Sequence, residues 1–236
     1  MLVALAAVFI GFYQAVKTRR ISINEWSLSP SSVRGVDISE YQANVDMGKL
    51  KEQGIQFAYI KATEGSTHVD ARFSANWQNA KEVELPAGAY HFFNFESSGA
   101  SQADNFINTV GESLDGRLIP AVDVEIYGDK EYVIPDKDSL KHELKEMLSR
   151  LEKQYHTKPI IYAQKNFYDI YLADFSDYPR WIRDVYMPAK WKNGDDWLIW
   201  QYNDRGRLDG YWGGEKYIDL DVINKNKTLE DLKIKQ

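Results

Sequence analysis

The sequence predicts an α/β fold: an irregular TIM-like barrel of five βα units followed by three strands. Three observations predict it. From Arg34 to Phe175, short apolar runs rich in β-branched and aromatic residues alternate with stretches of helical period. That alternation is the pattern of a parallel sheet with both faces covered. After Phe175 the helical period stops while strand-like runs continue. The strand-like runs total eight, the number that closes such a barrel. A doubly wound open sheet is the competing architecture. Neither a GxGxxG nor a P-loop pattern follows the first strand, which argues against it.

The elements follow in order. "RGVDIS" (Arg34–Ser39) reads as the first strand, and "VDMGKLKEQG" (Val45–Gly54) as a short helix ended by Gly54. "FAYIKAT" (Phe57–Thr63) is the second strand. Phe73, Trp77 and Ala80 give "DARFSANWQNAKEV" (Asp70–Val83) a helical face. "PAGAYHFFNF" (Pro86–Phe95) is the third strand, and Ser101–Gly111 a helix with Ser101 as its predicted cap. "LIPAVDVEIYGD" (Leu118–Asp129) is the fourth strand. The longest helix spans Asp138–Tyr155, with Leu140, Leu144, Met147, Leu148 and Leu151 on one stripe. "KPIIYAQ" (Lys158–Gln164) is the fifth strand and Asn166–Phe175 its helix. "RWIRDVY" (Arg180–Tyr186), "WLIWQYN" (Trp197–Asn203) and "YIDLDVI" (Tyr217–Ile223) complete the eight.

The N-terminus differs. Met1–Val16 carries no charge and is followed by "KTRR". A spanning helix needs about 20 apolar residues, so the run is marginal. Residues 1–20 are expected to be a membrane anchor or signal segment, making the membrane a partner and the cell surface or exterior the location. The positive-inside rule places "KTRR" in the cytoplasm, which conflicts with an external domain. Residues 21–33, polar and Ser/Pro-rich, read as a linker, and 34–236 as the globular domain.

Composition narrows the chemistry. The chain has 236 residues and a net charge of -6, so no nucleic-acid surface is expected. Without cysteine there is neither a disulfide nor thiol chemistry. The four histidines lie far apart without HxxxH spacing, so neither a metal site nor a cofactor is expected. Aromatic residues make up 14% of the chain, enough for a large core or for stacking platforms in a cleft. A monomer is expected.

In a barrel of this kind the chemistry sits at the C-terminal ends of the strands. Those ends carry Asp37, Ser39 and Gln42, then Lys61, Thr63, Glu64, His91, Asn94, Asp123, Glu125, Tyr162, Gln164, Arg183, Asp184, Gln201, Tyr202, Asp219 and Asp221. Asp123 and Glu125 stand at i and i+2, on one face of a strand, about 6–7 Å apart at Cα. Repulsion and burial raise the pKa of such a pair and leave one member a proton donor. Glycosidic bond cleavage uses that combination. The competing reading pairs one carboxylate with Lys61 or Arg183.

The ordered segments "RGVDISEYQ", "FAYIKATEG", "DARFSANWQNA", "PAGAYHFF", "PAVDVE", "IWQYN" and "YIDLDV" resemble the glycoside hydrolase family 25 lysozymes over about Val33 to Asn224. The resemblance implies an N-acetylmuramidase that cuts the β-1,4 bond between N-acetylmuramic acid and N-acetylglucosamine in peptidoglycan. It implies Glu125 as general acid, Asp123 as the group that orients or charge-stabilises the substrate's 2-acetamido group, and Asp37 and Asp219 as further active-site acids. Tyr90, Tyr162, Asp184, Trp200, Gln201 and Tyr202 are the candidate substrate-binding residues. Two residues depart from the pattern: Asp221 stands where Asn is frequent, and Arg183 where a small residue is usual. The alternative function is a peptidoglycan-binding module with weak catalysis.

Overall fold

The structure, a computed structural model, describes residues 2–18, 21–114, 116–126, 136–192 and 194–234. The charged loop Gly128–Ser139, expected to line one wall of a groove, lies outside the described residues up to 135.

Among the described residues nine strands form one sheet: β1 (Arg34–Ile38), β2 (Phe57–Glu64), β3 (His68–Val69), β4 (Ala87–Phe92), β5 (Ala121–Asp123), β6 (Ile160–Gln164), β7 (Arg180–Arg183), β8 (Ile199–Gly206) and β9 (Ile218–Ile223). Their order is β1-β9-β8-β7-β6-β5-β4-β2-β3, and β1 also pairs with β2. That extra pairing closes eight strands into a barrel. The two-residue β3 lies outside the ring, antiparallel to the end of β2.

The parallel expectation holds for β1 through β8 in the ring. It fails for β9, which runs antiparallel to both β8 and β1. The cause is the connection. No helix separates β8 from β9, and a direct return can only make an antiparallel pair.

Helices cover the ring: α2 (Met47–Glu52), α3 (Phe73–Glu82), α4 (Gly99–Val110), α5 (Lys137–Tyr155), α6 (Lys165–Phe167) and α7 (Ala189–Lys192); α1 (Leu2–Lys17) precedes the barrel, its Phe12 stacked on Trp26. On α5, the predicted stripe of Leu140, Leu144, Met147, Leu148 and Leu151 is buried, each side chain contributing about 2 kcal/mol by removal from water. Ser98, not Ser101, caps α4: its hydroxyl accepts from the Ser101 amide. The helix predicted over 166–175 is broken into α6, one π turn and one 3-10 turn.

The interior of the ring is a second core, of Phe57, Tyr59, Leu118, Ile160, Trp181 and Ile199 among others. Gly35 and Gly88 make room for it. A Cβ on Gly35 would come within 2.3 Å of the Phe57 ring, and one on Gly88 within 2.4 Å of the Tyr59 ring. Much of the aromatic richness is therefore barrel filling.

The stretch 21–33 is not a free spacer. Asn24 is buried and donates to the carbonyls of Asp184 (2.9 Å) and Tyr202 (2.8 Å). α1 has 16 residues, about 24 Å at 1.5 Å per residue, short of the ~30 Å hydrocarbon layer. Among the described residues no helix is long and apolar enough to cross a membrane.

Candidate active site

A cleft of about 420 Å³ opens at the C-terminal end of the parallel strands. Asp37, Asp123, Glu125 and Asp219 all line it. Each arrives by a local rule. Asp37 ends the inward-facing row of β1, and Asp219 is its direct Cα partner on β9. Asp219 reaches the mouth because β9 is reversed: the start of that strand, not its end, lies at the C-terminal edge. Asp123 is the last residue of β5. Glu125 lies just past the strand, yet the alternation continues. The Val124 amide still bonds the Tyr162 carbonyl at 2.9 Å, and Val122 and Val124 are buried in the outer core. The odd-numbered carboxylates thus share the cleft face.

The cations that could have neutralised this pair are engaged elsewhere. Lys61 pairs with Glu64 at 2.7 Å, and Arg183 with Asp204 at 2.8 Å. Both still act on the acids at longer range.

Burial dominates the electrostatics. Desolvation, then the nearby Glu125 and Asp37, hold Asp123 well above the usual carboxylate range. One of its oxygens, Oδ1, is buried without a donor among the described residues. Glu125 is also raised by desolvation, but Arg183 and a hydrogen bond with Gln164 pull it back. Both carboxyls of the pair resist ionisation, and Glu125 has the hydrogen bond that favours its charged form. Glu125 has a hydrogen-bond partner, and Asp123 Oδ1 has none among the described residues. Desolvation raises Asp37 to about 6, against the opposing hydrogen bonds of Gln201 and Asp221. Asp219 is raised by desolvation and by Asp37.

The predicted binding residues separate into two groups. Tyr90, Tyr162 and Gln201 line the cleft. The Tyr162 hydroxyl donates to Gln201 Oε1 at 3.0 Å, and Gln201 Nε2 donates to Asp37 Oδ2 at 2.8 Å. Trp200, Tyr202 and Asp184 are not in the cleft. Trp200 and Tyr202 neighbour the inward-facing Gln201 on β8, so they point outward into the core beneath the helices. The Trp200 indole donates to the Asp184 carbonyl at 2.9 Å. Asp184 is buried just after β7, and its Oδ1 accepts from the amides of Tyr186 (3.2 Å) and Met187 (3.0 Å). It closes a turn. His91 is also structural: it is fully buried, bonded to Thr63 (2.7 Å) and Gln102 (3.0 Å), and desolvation lowers its pKa to about 4.

Other cleft residues escaped the sequence reading. Tyr41, in the turn after β1, is 66% exposed at the cleft. Asp204 lies in β8, and Glu215 and Tyr217 just precede β9. The signal was available in the strand-end loops, where an exposed aromatic in "SEYQ" had no core position to fill.

A closed barrel with four carboxyl groups gathered at its mouth defines a glycosidase-type site: acids on one sheet edge, a groove for a chain, polar walls. The comparisons make the assignment particular. Residues 36–211 match the model of glycosyl hydrolases family 25, and the chain belongs to that family. It is 37% identical over 228 residues to YegX of Escherichia coli K12, covering 93% of this chain and 78% of that protein. It is 32% identical over 194 residues to lysozyme M1 of Streptomyces globisporus, covering 78% and 66%. The solved family 25 glycosyl hydrolase from Bacillus anthracis superposes with a TM-score of 0.77 at 42% identity, over 84% of this chain and 91% of that one.

Proposed function

We propose that this protein is a lysozyme, an N-acetylmuramidase that hydrolyses the β-1,4 bonds between N-acetylmuramic acid and N-acetylglucosamine in peptidoglycan. Family membership and the relatives named lysozyme support the activity. The observation that carries the roles is the shared cleft face of Asp123 and Glu125 opposite Asp37 and Asp219.

In this reading Glu125 gives its proton to the glycosidic oxygen as the bond from C1 breaks. Asp123 accepts a hydrogen bond from the substrate's 2-acetamido N–H at its donorless Oδ1. That bond favours a charged Asp123 and leaves the proton with Glu125. The acetamido oxygen attacks C1, and water then opens the intermediate with Glu125 as base. Tyr41 and Tyr90 flank the sugar rings.

The site of action is the cell wall, outside the cell or at its surface. Residues 1–20 serve export or membrane association, 21–33 tether them to the barrel, and 34–236 form the catalytic domain. The deciding experiment is zymography on purified walls with wild type beside Glu125→Gln. Clearing by the wild type and none by the variant supports the assignment. Near-normal clearing by the variant overturns the roles, and wall binding without release of reducing ends reduces the protein to a binding module.

A further inference from the structure

Asp221 lies one layer below the acids of the cleft. It follows Asp219 by two residues on β9, so both face the ring interior, and its Cα partners are Gly35 on β1 and Gln201 on β8. It is fully buried. The Trp181 indole donates to its Oδ1 at 2.9 Å. Its Oδ2 is buried and meets no donor among the described residues. What its side chain meets is another carboxyl, that of Asp37, in hydrogen-bonding contact.

Two ionised carboxylates offer only acceptors and cannot bond each other. One proton between them satisfies both and removes a buried like-charge repulsion. The ionisable groups near Asp221 are Asp37 from β1, Asp219 from its own strand, Tyr59 from β2 and, on the outer side, Tyr202 from β8. None of these is positive; Arg183, the β7 neighbour of Gln201, is a cation that acts on Asp37 and Asp219.

We propose that Asp221 keeps its proton at neutral pH and donates it as a hydrogen bond to the Asp37 carboxylate, as a positioning residue for the reaction proposed above. The donor order is set from below. Trp181 holds Oδ1 as acceptor, leaving Oδ2 to carry the proton. Gln201, itself fixed by Tyr162, donates to Asp37 from the side. Asp37 thus receives two donors, which hold it in one orientation and favour its charged form. Burial, with Asp37 and Asp219 adding to it, keeps Asp221 well above the usual carboxylate range. An Asn here would supply an N–H at every pH, whereas an Asp gives the site a donor that alkali removes.

The proposal rests on the muramidase reading for its kinetic arm alone. The first test is difference infrared spectroscopy of the full chain at pH 7, wild type against Asp221→Asn. A carboxylic-acid C=O band in the wild type that the variant loses supports the proposal; no such loss overturns it. This arm needs no activity, so it stands even if wall hydrolysis is absent. The second test is the pH profile. Asp221→Leu removes the donor, and loss of a bond to a charged group raises the Asp37 pKa by about one unit. The acid limb moves up accordingly, and kcat drops about tenfold with KM nearly unchanged. Asp221→Asn, which keeps the donor, stays within about threefold of wild type with its acid limb unmoved. A folded Asp221→Leu with an unmoved limb, or an Asp221→Asn as impaired as the leucine variant, overturns the proposal. Should the leucine variant not fold, the infrared result and the asparagine profile decide.

Discussion

Gln201 donates to Asp37 Oδ2 at 2.8 Å while its own oxygen is held by Tyr162 at 3.0 Å, so the amide has one orientation and Asp37 a fixed donor. A hydrogen bond to a charged group is worth about 1.5–3 kcal/mol. Gln201→Leu is therefore expected to raise the Asp37 pKa by roughly one to two units above its value of about 6. The acid limb of kcat/KM moves to higher pH by that amount. A pH–rate profile of the variant checks it.

Glu125→Gln removes the transferable proton while keeping the shape of the side chain. Activity on cell walls is expected to drop by about 10²–10⁴-fold. Thermal unfolding should be unchanged or slightly later, since a desolvated carboxyl is lost. Reducing-end release and a melting curve on the same preparation test both halves.

Asp219 carries a pKa raised by burial, and the sign of its effect on stability follows. The folded state holds its proton where the unfolded chain has released it, so stability falls as pH rises from the ordinary Asp value of 3.8 toward the folded value. Asp219→Asn removes that cost. The variant is expected to melt higher than wild type at pH 7.5, with the gain shrinking to nothing near pH 4. His91 runs the other way: its lowered pKa of about 4 costs stability as pH falls from about 6.5 to 4. Comparing variant and wild type at each pH cancels that contribution.

Tyr41 and Trp200 should respond oppositely to mutation. Tyr41→Ala strips an exposed face from the cleft. KM is expected to rise roughly fivefold, about 1 kcal/mol, with little change in melting temperature. Trp200→Phe leaves the Asp184 carbonyl short of one donor in a buried place. Asn24 still donates to that carbonyl, so the loss should cost about 1 kcal/mol of stability and leave KM alone. Steady-state kinetics beside denaturant unfolding separates the two.

The anomeric outcome tests the part given to Asp123. Attack by the acetamido oxygen followed by water gives retention, whereas direct attack by water gives inversion. Proton NMR of the first-formed anomer is expected to show retention.

Strand positions were legible because apolar runs and helical stripes have different periods, and here they alternate cleanly up to Phe175. The reversed direction of β9 was not, although its cause was visible: no helical stretch separates "WLIWQYN" from "YIDLDVI". Period two could also have sorted the aromatic candidates. With Gln201 facing inward, Trp200 and Tyr202 had to face outward. Asp184 misled for another reason: a carboxylate one residue past a strand serves a turn as readily as a cleft. The surroundings of Asp123 and Glu125 lay beyond the sequence, because which oxygen finds a donor is set in three dimensions.

The barrel is sealed where its first strand meets its last, along the register from Arg34↔Val222 to Asp37↔Asp219. That seam joins parts of the chain remote in sequence, a slow kind of contact to form. Asp37 and Asp219 stand on opposite lips of it, so no partly zipped intermediate owns a complete set of acids. A chain crossing a membrane unfolded would be harmless to its own cell until the seam shuts. In a refolding experiment, recovery of hydrolysis should trail recovery of tryptophan fluorescence, the last seconds of assembly switching the enzyme on.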